Sequence, residues 1–312
     1  MITCGFCSKR AVAHSPYLHA YLCKDHFISY YEERVKLTIK KFNLIKPGDR
    51  VAVAVSGGKD SLTMLYLLTK FSGNMKYELF AITIDEGIKG YSDVRVMNLK
   101  KNAGKMGIEL YVTSFKEEIG MSLDEATEVL KKRGFEYKPC TVCGVFRRYL
   151  MNKTARELGA TKLATGHNLD DEAQVFLMNA LRGALPNIIR EGLITEYALH
   201  EKMVPRIKPL YFIPEKETLI YSKLIGLDVF LEAECPYVIY SMRHPLRHWL
   251  NKLEWKTPYT KYKVIATKEL ILSLLRDKRG REHIGTCKVC GEPSSTYICK
   301  TCFYKGYLGI KI

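Results

Sequence analysis

Ten cysteines are the residues of this chain best suited to chemistry, and they fall into three sets. Near one end stand Cys4-x2-Cys7 and, fifteen residues on, Cys23-x2-His26. Near the other stand Cys287-x2-Cys290 and, eight residues on, Cys299-x2-Cys302. A two-residue spacer lets a tight turn aim both side chains at one ion, so two such pairs predict a tetrahedral zinc site. Neither segment is long enough to fold on apolar burial alone, and a metal supplies the missing stability. Gly291, just past the Cys287/Cys290 knuckle, can take the positive φ useful in such a turn. His14 and His19, inside the first loop, read as surface residues. Buried or disulfide-bonded cysteines are the competing reading, disfavoured by the doubled regularity and a reducing compartment.

The other three are Cys140 and Cys143, in Lys138-Pro139-Cys140-Thr141-Val142-Cys143, and Cys235, in Glu234-Cys235-Pro236-Tyr237. By itself the Cys140-x2-Cys143 pair fits a redox couple, half a zinc site or a cluster-binding pair. No second pair completes a knuckle, which disfavours a closed four-cysteine zinc site. Three thiolates are the odd number that leaves a metal or cluster one open position. Three unrelated core cysteines are the plain alternative.

A third constellation is Ser56-Gly57-Gly58-Lys59-Asp60-Ser61. It follows the apolar run Val-Ala-Val-Ala-Val at 51–55, as expected of a strand buried on both faces of a parallel sheet. It precedes Leu62, Leu65 and Leu68 at helical spacing. Strand, glycine loop and helix together present backbone N–H groups and a helix N-terminus to an anion. The loop is not a Walker A motif, because Val53 stands where the first glycine belongs and Asp60 replaces the Ser/Thr. Nor does it match G-x-G-x-x-G. After an apolar strand, this hexapeptide resembles the PP-loop of the ATP pyrophosphatases, which split ATP between the α- and β-phosphates and activate a carbonyl oxygen by adenylation.

Around these residues the pattern alternates. Further strands are predicted at 77–84, 109–113 and 162–165, with helices at 93–105, 123–133 and 145–158. The second strand ends in Asp85-Glu86-Gly87 and the fourth in Gly166-His167-Asn168-Leu169-Asp170-Asp171-Glu172. Such alternation predicts an α/β fold with a doubly wound, mostly parallel sheet and a ligand at the C-terminal strand ends. There Ser56–Ser61, Ile84, Asp85 and Gly166–Asp171 would converge, and the PP-loop resemblance implies ATP with its adenine near Ala54, Ser56, Ile84 and Gly166. Asp171 fits either a helix N-terminal capping role or coordination of Mg2+ beside a pyrophosphate.

The chain has 312 residues and a formal net charge of +16. Length and a 47% hydrophobic fraction exclude a disordered chain, and ten cysteines are too sparse for a disulfide-stapled miniprotein. No apolar stretch reaches the ~18 residues of a spanning helix, and MITCGFCSKR lacks the pattern of a secretory signal. A cytoplasmic protein without membrane contact is expected. Residues 240–312 hold fifteen Lys+Arg against five Asp+Glu, and 131–158 hold eight against two. Such blocks suit a polyanionic partner. Arg243, Arg247, Lys252, Lys256, Lys261 and Lys263 are candidate contacts for such a polyanion. Trp249 and Trp255, interleaved with them, could stack on nucleic-acid bases but are expected in the core of a small helical region. Tyr259 and Tyr262 share that stretch.

Taken in order, the N-terminal Cys-x2-Cys…Cys-x2-His, the PP-loop, Pro-Cys-x2-Cys-Gly, Gly-His-Asn-Leu-Asp-Asp-Glu, Glu-Cys-Pro-Tyr and the terminal Cys4 knuckle resemble the tRNA 2-thiouridine synthases of the TtuA type. That group is related to the cytoplasmic tRNA 2-thiolation protein. The likeness spans essentially the whole chain. The tRNA 2-thiocytidine synthases share the PP-loop and internal cysteines but lack the terminal zinc modules.

The resemblance implies four segments: a zinc module at 1–28, a PP-loop catalytic domain at 29–240, a basic helical region at 241–283 and a second zinc module at 284–312. It implies ATP, Mg2+, two Zn2+ and a [4Fe–4S] cluster held by Cys140, Cys143 and Cys235, with one iron free to hold hydrosulfide. A persulfide on Cys140 or Cys235 remains the alternative. Lys59, with Mg2+ near Asp60 or Asp171, would neutralise charge while the uridine C2 oxygen attacks the α-phosphate. Arg147 would meet ATP phosphates or the adenylated base. Sulfur transfer then gives 2-thiouridine or 2-thio-5-methyluridine, with AMP leaving. The implied partners are tRNA, a ubiquitin-like carrier with a C-terminal thiocarboxylate, and a second copy of the chain. A non-catalytic zinc-ribbon RNA-binding protein is the rival reading.

Overall fold

The computed structural model describes residues 2–195, 198–229, 235–279 and 282–311. Glu234 of the Glu-Cys-Pro-Tyr segment lies outside them, as do residues 280–281 of the basic stretch. Helix α1 (Lys24–Lys41) starts directly after Cys23 and carries Phe27, Tyr31, Val35 and Ile39 into the core. The 1–28 and 29–240 segments therefore share one continuous helix.

Six strands form the central sheet: β1 (Arg50–Ala54), β2 (Glu78–Asp85), β3 (Leu110–Ser114), β4 (Lys162–Thr165), β5 (Ile194–Thr195) and β6 (Arg206–Ile207). Their order is β3-β2-β1-β4-β6-β5, parallel throughout except for the edge pair β5/β6. The fold is the doubly wound, mostly parallel α/β sheet expected. Chain order reverses between β1 and β4, so a crevice opens where their following loops diverge. Val51, Ala52 and Val53 are fully buried because β1 lies mid-sheet with both faces covered.

On one face Val51, Val53, Ala81, Ala164 and Ile207 pack with α1 and with α2 (Lys59–Met75). On the other, Ala52, Phe80, Ile82 and Leu163 meet Ala155. Helix α3 (Ser92–Met106) joins β2 to β3, and α4 (Leu123–Lys132) opens on a capping box between Ser122 and Glu125. Helix α5 (Pro139–Glu157) has proline at its first position, where no N–H is needed. It begins six residues before the helix predicted at 145, which places Cys140 and Cys143 within its first turns. Helix α6 (Leu169–Leu181) follows β4, and α7 (Glu215–Leu224) follows β6.

Helices α8 (Arg243–Lys256) and α9 (Thr260–Arg279) form the basic region. Trp249 and Trp255 are 52% and 85% exposed, not in a core. The cause is geometric: α8 buries Leu250, and at 100° per residue those tryptophans point well away from it. Tyr259 and Tyr262 pack instead, edge-on to Tyr17 of the N-terminal hairpin. Helix α10 (Lys300–Leu308) buries Tyr304 and Leu308 among Leu123, Leu130 and Phe146. No described helix is long and apolar enough to cross a membrane.

Candidate active site

The glycine loop after β1 is held in shape by its own serines. Ser61 Oγ accepts a hydrogen bond from the Ser56 amide at 3.0 Å and donates to the Gly58 carbonyl at 3.0 Å. The loop is closed against a second one. A Cβ on Gly166 would stand 2.9 Å from both the Cα and the amide nitrogen of Ser61, so only glycine fits there. Gly57 combines a φ of +81° with a Cβ position 2.9 Å from Arg95 Cγ. Ala54, Ile84 and Gly166 terminate or follow three adjacent strands beside this loop.

Charge is layered around it. Lys59 Nζ lies 2.9 Å from Asp60 and 2.7 Å from Glu215, and Arg247 reaches Glu215 at 2.6 Å. Asn168 donates to Asp60 at 2.9 Å while capping α6 through a reciprocal box with Asp171. Burial raises the Asp60 carboxyl against the pull of Lys59. It raises Asp171 to about 6, with Arg243, 3.4 Å away, opposing and the Asp60 charge reinforcing. Two neighbouring carboxylates that resist ionisation together fit a divalent cation. Behind them Asp170 takes Lys261 and the Glu215 amide. Glu172 takes Lys208 and Lys268, each at 2.7 Å; burial pushes its carboxyl up, but those ammonium groups win and bring it to about 2.

The terminal sets are tightly drawn. Ligand atoms of Cys4, Cys7, Cys23 and His26 lie within 4.8 Å of one another, and so do those of Cys287, Cys290, Cys299 and Cys302. Cys7 Sγ is 3.8 Å from Cys23 Sγ, and Cys23 Sγ is 3.3 Å from His26 Nδ1. With zinc bonds of about 2.3 Å to sulfur and about 2 Å to nitrogen, tetrahedral edges come to about 3.8 and about 3.5 Å. Both sets fit one tetrahedral ion. Burial opposes ionisation of Cys287, yet backbone amides bring it to about 6; burial and neighbouring thiols push Cys290 to about 11. Four thiols this close ionise together only around a cation. The second set is also clamped to the core: Arg156 of α5 grips Glu292 with two bonds, at 2.6 and 2.9 Å, and Lys202 reaches the Gly291 carbonyl at 2.8 Å.

A profile of the PP-loop domain matches residues 31–253, and one for the N-terminal LIM domain of the 2-thiouridine synthetase TtuA matches residues 3–28. The tRNA-5-methyluridine(54) 2-sulfurtransferase of Pyrococcus horikoshii is 36% identical over 303 residues, covering 97% of this chain and 93% of its own. The chain belongs to the TtuA-type family of tRNA thiolases. The tRNA 2-thiolation protein NcsA of Haloferax volcanii is 35% identical, with 96% and 97% covered. The solved structure titled U34-tRNA thiolase NcsA from Methanococcus maripaludis with its [4Fe-4S] cluster superposes with a TM-score of 0.86 at 34% identity. The match covers 100% of this chain and 98% of that one.

In this thiolase fold the three central cysteines are gathered from α5 and from the segment entering the short Pro236–Tyr240 helix. Cys140 Sγ donates to the Tyr237 carbonyl at 3.0 Å, which ties the two segments together. Burial raises all three thiols, Cys143 to about 12, with Arg147 pulling the other way. The three thiols are half-buried and, unlike the terminal sets, do not all draw within 4.8 Å of one another, a wider spacing that suits a multi-iron centre. Arg147 lies one turn after Cys143 on α5 and 3.3 Å from Glu86.

Sequence reasoning missed Glu86, Arg95 and Glu215. Buried Arg95 pairs with Glu86 at 2.6 Å, donates to the Ile84 carbonyl at 2.6 Å and underlies Gly57. It thereby joins the PP-loop to the cysteine side through Glu86. Only Asp85-Glu86-Gly87 at a strand end hinted at this. Among the six basic candidates, Lys261 is buried on Asp170, and Arg243 and Arg247 face site carboxylates. Lys252, Lys256 and Lys263 are exposed.

Proposed function

We propose that this chain carries out ATP-dependent tRNA 2-thiolation: it adenylates the C2 oxygen of a uridine and exchanges it for sulfur, releasing AMP and pyrophosphate. The observation that carries this reading is one crevice with a glycine amide cradle on one wall and three thiols on the other, bridged by Glu86. ATP lies with its adenine near Ala54, Ser56, Ile84 and Gly166 and its pyrophosphate over the loop 57–61. Lys59 exchanges its carboxylate partners for phosphate oxygens, and Asp60 and Asp171 would hold Mg2+, which would neutralise phosphate charge. Adenylation is required because the C2 oxygen leaves poorly as hydroxide or oxide, but readily as the phosphate oxygen of AMP.

Cys140, Cys143 and Cys235 hold the [4Fe–4S] group, which when bound supplies an iron without a protein ligand, a Lewis-acid position for inorganic sulfide. Arg147, anchored by Glu86, faces this side and orients the adenylated base. Zn2+ occupies each terminal set and fixes α1 and α10. The exposed Trp249 and Trp255, with Lys252, Lys256 and Lys263, form a surface for tRNA, where rings stack on bases and ammonium groups meet phosphates. A ubiquitin-like carrier with a C-terminal thiocarboxylate delivers the sulfur, in a cytoplasmic setting and on a homodimer.

The test is anaerobic incubation of the iron-loaded protein with ATP, tRNA and sulfide or carrier, followed by nucleoside mass spectrometry. The expected outcome is 2-thiouridine or its 5-methyl form in step with AMP and pyrophosphate. Release of ADP, or RNA binding without thiolation, would sink the reading.

A further inference from the structure

Arg148 and Arg206 remain unused by the reaction just described. Arg148 lies on α5 next to Arg147, and its guanidinium folds back over Gly144. Its Nη1 and Nη2 stand 3.5 and 3.7 Å from where a Cβ on that glycine would be. It therefore sits beside the Cys143 turn. Arg206 pairs in register with Leu163, so it shares the sheet face that α5 covers. Burial and the Arg148 charge together lower Arg206 to about 10. The Arg206 charge in turn reaches His167, which desolvation and the cations Lys208, Arg243 and Arg206 hold below its ordinary range. Two guanidinium groups, Arg148 exposed and Arg206 half-buried, thus lie on one side of the sheet between the cysteine turn and the loop after β4.

Among the described residues, no hydrogen bond or ion pair takes either group. Other arginines around the crevice contrast with them: Arg95 has Glu86, Arg156 has Glu292, Arg243 has Asp171 and Arg247 has Glu215. Two neighbouring forks without a counter-charge repel each other, and a bound anion with several oxygens relieves that repulsion.

We propose that Arg148 and Arg206 together bind the phosphodiester adjoining the uridine under thiolation, anchoring the extruded nucleotide with its base over the three cysteines. This rests on the thiolation reading. The phosphates of ATP have their own receptor: the loop 57–61 leads into α2, which packs on the opposite face of the sheet. A base drawn out of its stack carries its own phosphate within one nucleotide of the reacting carbon. Two planar forks match the two non-bridging oxygens of that phosphate, and such contacts set register without reading sequence.

The experiment compares Arg148→Gln, Arg206→Gln, the double variant and the matching lysine variants as full-length, iron-loaded protein. Thermal melting and metal content verify folding. Each glutamine variant is expected to raise KM for tRNA about tenfold and leave KM for ATP unchanged. Each should also flatten the slope of log Kd against log salt by about one. The lysine variants should regain the slope but not the full affinity.

Replacing the phosphates that flank the thiolated uridine, one at a time, by neutral methylphosphonate should weaken wild-type binding at one position only. The double variant should lose nothing further from the same replacement. An unchanged KM for tRNA overturns the proposal. So does a raised KM for ATP, which assigns the arginines to the nucleotide, or an altered dependence on the carrier alone, which assigns them to its C-terminus. If wild-type protein binds RNA but does not thiolate it, the function reading fails. Methylphosphonate scanning along the bound RNA, with and without the arginine changes, then still decides the anion site.

Discussion

The cysteines at the two ends and those at the centre obey opposite rules. Each terminal set gathers four ligands from about two dozen residues or fewer, and draws them within 4.8 Å. The central set draws three from positions 140, 143 and 235, and is bordered by Arg147 and Arg148. A closed tetrahedron contributes to folding; a site one ligand short keeps a position for substrate. The same contrast holds for charge. Ligand sets drawn this close call for one cation at each end. The crevice instead keeps Arg148 and Arg206 without a carboxylate among the described residues, and Asp171 above its ordinary range.

The sharpest way to break this comparison is to exchange the consequences of two similar substitutions. Cys235→Ser should abolish 2-thiouridine formation while leaving thermal stability within about 0.5 kcal/mol of wild type. Cys302→Ser should do the reverse in kind. It opens a site whose metal-binding free energy, about 10–16 kcal/mol in comparable small modules, is folding free energy. Limited proteolysis should then cut near α10, and one equivalent of zinc should be lost. If Cys235→Ser instead unfolds the protein, the central set is structural.

Within the crevice, the glycines separate shape from stability. Gly166→Ala forces a methyl group into the Ser61 backbone and should cost about 100-fold in kcat/KM for ATP, the usual consequence of a misplacement near 1 Å. Gly73, in the last turn of α2 with open space around its Cβ position, is the control. Gly73→Ala should leave ATP kinetics unchanged and raise stability by up to about 1 kcal/mol. An equal kinetic loss from both would mean that the α2 region responds to any perturbation.

What the chain displays as sequence divides along the same line. The knuckles and the PP-loop are local, spanning about two dozen residues or fewer, so spacing alone revealed them. The start of α6 was legible only as a helix N-terminus near Asp170 and Asp171; its cap is Asn168, with Asp171 three residues on. The central cysteines could be counted but not joined, because Cys235 reaches α5 only through the fold. Glu86–Arg95 and Glu215–Lys59 pair residues whose identities are ordinary for any surface. Strands β5 and β6 are two residues each, too short to leave an alternation pattern. Trp249 and Trp255 show the limit from the other side: large apolar residues suggest a core, but α8 has only one face to bury.

Charge in and behind the crevice gives two effects of opposite sign. Glu172 is buried between Lys208 and Lys268, and its carboxyl lies at about 2, below the ordinary value. Its stabilisation is complete above pH ~4.5 and fades as pH falls towards about 2. Glu172→Gln should therefore cost about 3 kcal/mol near neutrality, since it strands two buried ammonium groups. Asp171 behaves oppositely. Its carboxyl is raised to about 6, so the folded chain binds more protons than the unfolded chain between pH ~4 and that value. Stability from this group is present in acid and is lost as pH rises through about 6. Asp171→Asn keeps an oxygen for the Asn168 amide and removes the misfit charge. It should gain about 1 kcal/mol at pH ~8, after allowance for its partly open position, and nothing at pH ~4. Denaturation at the two pH values checks the sign, and thiolation should fall at the more stabilising one. If Asp171→Asn is destabilising at alkaline pH, its bond to Arg243 outweighs burial, and the crevice is better balanced than the comparison holds.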